Sequence, residues 1–82
     1  MNNDWVLFHL REAREELTRT IAELESESDY TEVEFEIAMA HSFSHLNTAW
    51  NSRTLVVDRT AAASDQDFYT WRAFPSDIDM GS

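Results

Sequence analysis

The 82-residue chain has no cysteine, no lysine, one glycine and one proline, and each shortage excludes something. Without cysteine there are no disulfides and no thiolate metal ligands, so a small domain must be stabilised by other means. A single glycine rules out a Gly-rich loop that could cradle a phosphate or nucleotide, and no serine has glycines on both sides as in the sharp turn of an exposed nucleophile. Long hydrophobic runs are also missing. None approaches the ~20 residues that span a bilayer, and the N-terminus lacks the basic start and apolar stretch of a secretion signal. The expectation is a soluble, cytoplasmic protein.

Positive charge is scarce as well: six Arg stand against sixteen Asp and Glu, for a net charge of −10. Affinity for nucleic acid or an anionic membrane comes largely from basic side chains that displace counterions, so neither is an expected partner.

What is present argues for a folded helical protein. At 43% hydrophobic and 12% aromatic residues, the chain is too apolar for a disordered acidic tail. A lone domain of this size buries only ~60–65% of the surface that its unfolded chain exposes, which leaves stability marginal. Oligomerisation, or a metal held by His and carboxylates, could supply the remainder.

Helix one is expected over residues 4–27. Asp4 is a suitable N-cap, and Leu, Ala, Glu and Arg dominate from Trp5 to Ser26 without Gly or Pro. Leu10, Leu17 and Leu24 recur every seven residues, with Leu7, Arg14 and Ile21 between them, a coiled-coil-like seam that Arg14 interrupts. Thr31 and Glu34 have the spacing of a capping box, and Tyr30 and Phe35 that of a hydrophobic staple, so helix two is expected over 31–53. Two helices joined by so short a turn must be antiparallel neighbours. Residues 54–63 read as a connector or helix extension. Residues 64–74 form a short helix capped by Ser64 and ended by Pro75, and 75–82 form a tail. The whole is one all-α domain: an antiparallel helical hairpin with a short C-terminal helix.

At ~100° per residue, Leu17 is taken as the centre of helix one's buried seam, and Trp5 and Phe8 fall away from it. The aromatic group Phe68, Tyr69, Trp71 and Phe74 could cover them. Helix two carries one apolar stripe of Phe35, Met39, Phe43, Leu46 and Trp50 and a second of Val33, Ile37, Ala40 and Ser44. One neighbouring helix covers only ~100° of arc, so two stripes imply two neighbours. A homodimer in which two hairpins form a four-helix bundle satisfies this, with Phe35, Met39, Phe43, Leu46 and Trp50 as its interface.

Three histidines are the chemically suggestive residues. His41 and His45, four apart, project together and could share a divalent transition metal, with His9, Glu12 or Glu16 of helix one, or a partner chain, supplying a further ligand. The plainer reading pairs the imidazoles with those carboxylates across the helix interface. The acidic hairpin tip from Glu23 to Glu36 contains no basic residue. It does not fit a calcium loop, because Tyr30 stands where the sharp turn needs Gly. It reads as a solvated tip or a docking surface for a basic protein partner. No enzyme signature is present. The sequence therefore suggests a small acidic module for self-association and assembly, with a metal-binding bundle as the alternative.

Overall fold

The structure, a computed structural model, describes residues 1–81. It contains four helices: α1 (Asn3–Ser26), α2 (Glu32–Asn51), α3 (Val57–Ala61) and α4 (Asp65–Trp71), and no strand among the described residues. α1 and α2 form the expected antiparallel hairpin. The capping box that opens α2 is complete: the Thr31 N–H donates to Glu34 Oε2 (2.7 Å) and the Glu34 N–H donates to Thr31 Oγ1 (3.2 Å). α1 is capped by Asn2 rather than Asp4. Asn2 Oδ1 accepts from the Trp5 N–H (3.3 Å), its backbone N–H donates to the Arg53 carbonyl (2.8 Å), and its Nδ2 donates to Thr60 Oγ1 (3.1 Å). These ties to the far end of α2 and to α3 fix Asn2 as the cap, and Asp4 lies within the first turn, where its charge suits the helix N-terminus.

The seam between the two long helices is built from small and polar residues. His9, Ala13 and Thr20 of α1 meet Ala38, Ser42 and Ala49 of α2, each 5% exposed or less. The hydroxyls are satisfied within their own helices, Ser42 Oγ donating to the Ala38 carbonyl (2.9 Å) and Thr20 Oγ1 to the Glu16 carbonyl (2.8 Å). The leucine repeat is thus not the centre of this contact, contrary to the sequence expectation. Ala13 replaces Leu17 there, a rotation of about 40°, since four residues advance 400° around a helix. Leu10, Leu17, Ile21 and Leu24 lie along the margin of the seam and remain exposed.

The open end of the hairpin is closed by the rest of the chain. The stretch left undecided between connector and helix is a turn followed by the five-residue α3. Trp5 Nε1–H donates to the fully buried Ser52 Oγ (2.7 Å), and that hydroxyl in turn donates to the Thr48 carbonyl. Trp71 of α4 packs edge-on against Trp5 at 6.1 Å between ring centroids, and Phe68 lies 6.0 Å from Trp5. The C-terminal aromatics therefore cover Trp5 from within the same chain, while Phe8 stays exposed. Asn51 Nδ2 donates to the Trp71 and Ala73 carbonyls (2.6 and 2.7 Å) and Asn47 Nδ2 to that of Arg72 (3.0 Å), so α2 caps the end of α4. Arg59 grips Asp67 with two hydrogen bonds (2.8 and 2.6 Å), joins α3 to α4 and holds the Asp67 carboxyl well below the usual carboxylate range.

Because the seam admits only small side chains, Ala13→Leu should destabilise the fold by about 1–3 kcal/mol through overpacking. Leu17→Ala, at the exposed margin, should cost less. Urea denaturation followed by circular dichroism compares the two directly.

Candidate functional site

The antiparallel register brings all three histidines together along one edge of the hairpin. His9 Nδ1 lies 2.9 Å from His45 Nδ1, His45 Nε2 lies 3.2 Å from His41 Nε2, and His41 Nδ1 lies 3.3 Å from Glu16 Oε2. Glu16 also pairs with Arg19 at 2.5 Å. Of the helix-one residues expected near the pair, Glu16 meets His41 and His9 reaches the other nitrogen of His45.

The partners assign the ring protons. A carboxylate only accepts, so His41 carries a proton on Nδ1, toward Glu16, and with its Nε2 as an acceptor the other ring protons follow. His45 then donates from Nε2 and accepts at Nδ1, and His9 donates from Nδ1. The row ends at His9 Nε2, a buried nitrogen with no hydrogen-bond partner, among the rings of Trp5 (4.6 Å), Phe8 (5.1 Å) and His45 (5.2 Å). The row runs from half-exposed His41 into the interior. Because the two nitrogens of His45 point in opposite directions, this arrangement does not converge all three rings on one ion. Among the described residues no group of three or more His, Asp or Glu side chains is placed to enclose a metal.

Burial, and secondarily the neighbouring His45, push the His9 pKa down to about 4. His45 is lowered by burial and by His41, against the opposing pull of Glu12 and Glu16. The seam is thus built for neutral imidazoles.

The opposite edge of the hairpin is a long apolar face. From α2 it receives Phe35, Phe43 and Leu46, all about 40% exposed, together with half-buried Met39 and Trp50. From α1 it receives Val6, Leu10, Leu17, Ile21 and Leu24. This half was missed in the sequence because the leucine repeat was assigned to the intrachain contact. The available signal was a competing small-residue stripe, with Ala13 and Thr20 seven apart and Ala38, Ser42 and Ala49 at spacings of four and seven. Val33 and Ile37, from the second stripe of α2, are also exposed. Two concavities mark the open-end half of the face. One, of about 330 Å³, lies between Val6, Leu10, Leu46 and Trp50. The other, of about 450 Å³, lies between Phe43, Trp50, Phe74 and Ile78.

The tail crosses this half. Trp50 Nε1–H donates to Asp77 Oδ1 (2.9 Å), Arg53 lies over the Trp50 ring (3.7 Å) and 4.0 Å from Asp77 Oδ2, and the Phe74 ring sits 5.1 Å from that of Phe43. Ser82, the last residue of the predicted tail, lies outside the described residues. At the hairpin tip Glu25, Glu27, Asp29, Glu32, Glu34 and Glu36 are exposed, and the Glu34 carboxylate is engaged in the capping box. No helix among the described residues is long and apolar enough to cross a membrane.

A pH dependence follows from the histidine row. With its folded pKa below the ordinary 6.5, His9 takes up a proton more readily when unfolded. Its contribution is intact above pH 6.5 and is lost as pH falls towards about 4. His9→Leu should flatten the decline, which in the parent chain should amount to roughly 2–3 kcal/mol. Urea midpoints from pH 7.5 to 4 would measure it.

Comparison with known proteins adds no relative: no protein-family model, no curated protein and no solved structure matches this chain.

Proposed function

We propose that the chain is a non-catalytic assembly module in which two hairpins pair through their α1–α2 apolar faces as a four-helix-bundle homodimer. The observation that carries this reading is the distribution of side-chain size. The buried seam holds His, Ala, Ser and Thr, while Leu10, Leu17, Ile21, Leu24, Phe35, Phe43 and Leu46 lie exposed on one face, which the tail crosses at the open end. A face of that kind on a soluble chain marks a contact site. Its dimensions suit a second copy. A 24-residue helix is about 36 Å long, and two helices side by side are about 18–20 Å wide. The face is therefore on the order of 700 Å², close to the ~800 Å² per partner that a stable complex buries. Two-fold pairing also makes the face its own complement.

Leu17→Glu tests this reading without disturbing the intrachain seam. It should leave the helical content intact and weaken self-association by on the order of 100-fold or more, because two symmetry-related carboxylates would be buried together. Analytical ultracentrifugation reads the change. A parent chain that stays monomeric at micromolar concentration sinks the proposal.

One observation favours a second reading, a divalent transition metal at His41 and His45. Their Nε2 atoms are 3.2 Å apart, near the roughly 3.3 Å separating two nitrogens on a tetrahedral zinc with Zn–N of about 2.0 Å. His9 faces the other nitrogen of His45, so further ligands would be water or a partner chain. Zinc or nickel should raise the melting temperature of the parent chain and leave that of His41→Ala unchanged. No shift in the parent chain removes the metal reading.

A further inference from the structure

We infer that the segment Phe74–Met80 is a displaceable strap that competes with the second copy for the open-end half of the apolar face, a regulation that rests on the self-association reading above. The strap and the proposed partner claim the same side chains. Phe74 packs against Phe43 with its ring tilted at 57°, and Trp50 gives its indole N–H to Asp77. Ile78 lines both concavities of that half.

The attachment is graded along the chain. Up to Ala73 the backbone is clamped to α2, its carbonyls at Trp71, Arg72 and Ala73 held by the amides of Asn47 and Asn51. Beyond Ala73 no backbone hydrogen bond ties the described residues to α2. Pro75, which has no N–H to donate, separates the clamped part from the rest. The strap is held by one side-chain hydrogen bond, a long ion pair with Arg53 and partly exposed apolar contacts. Asp77 is the polar key. Its carboxyl is held below the ordinary range, first by the Trp50 indole, then by a backbone N–H and, least, by Arg53. Asp77 is the protein partner of the Trp50 indole N–H while the strap is seated. Release exposes Phe43, Leu46 and Trp50, which complete the face that a second hairpin would cover.

The test compares Asp77→Ala with Asp79→Ala in the full chain. Both remove one negative charge from the same segment, but Asp79 accepts only from the nearby Gly81 N–H and makes no hydrogen bond or ion pair with α2. Self-association is measured by ultracentrifugation, and strap seating by hydrogen exchange of the Trp50 indole N–H, assigned with Trp50→Phe. The expected result is that Asp77→Ala speeds indole exchange and tightens self-association about ten- to a hundredfold, one net hydrogen bond (about three- to tenfold) for each of the two straps displaced, whereas Asp79→Ala does neither. Equal association constants for parent, Asp77→Ala and Asp79→Ala overturn the strap and leave the self-association reading standing. All three chains monomeric overturns both. Indole exchange unaffected by Asp77→Ala overturns the strap whatever the association constants.

Discussion

The close approach of α1 and α2 across Ala13, Thr20, Ala38, Ser42 and Ala49 is the constraint on which the rest of the structure depends. Helices that meet through alanine, serine and threonine leave no room between them for leucine or phenylalanine. The large apolar side chains are therefore displaced to one margin and the histidines and Glu16 to the other. Both candidate sites follow from this one geometric choice. It also explains why so small a domain keeps so much apolar surface: the buried seam is too thin to take it in.

The two margins differ in chemistry because the helix sequences differ by about a third of a turn in what they present. On one side Glu16, His41, His45 and His9 form a row in which each ring satisfies the next and only the innermost nitrogen lacks a partner. Burial of His9 and His45 favours their neutral forms, which ties the seam to pH. On the other side the leucines of α1 and the aromatics of α2 form a surface whose natural complement is another surface like it. The tail occupies part of that surface through one carboxylate and two hydrophobic side chains. Cover and face are thus matched in the same terms as face and face.

The legibility of the chain followed the range of each signal. The turn, the Thr31–Glu34 capping box, the Ser64 cap and the hairpin were readable because each depends on residues within one or two turns. That His41 and His45 project together was readable from their spacing of four alone. The N-cap was misplaced onto Asp4 because Asn2 is selected by the Arg53 carbonyl and Thr60, more than fifty residues away. Leu17 was placed in the intrachain seam because a leucine heptad is the stronger pattern. Two candidate stripes 40° apart cannot be ranked without knowing how near the neighbouring helix comes.

The sequence by itself determined that the protein is helical, where the turn between its two long helices falls, and which side chains share a helical face, because hydrogen bonding within a helix, the capping box and periodicity are local properties of the chain. Only the tertiary structure decided which face turns inward, that His9 meets the far nitrogen of His45, and that Asp77 sits on Trp50. Those outcomes depend on the distance and rotation between elements far apart in sequence, and packing sets both.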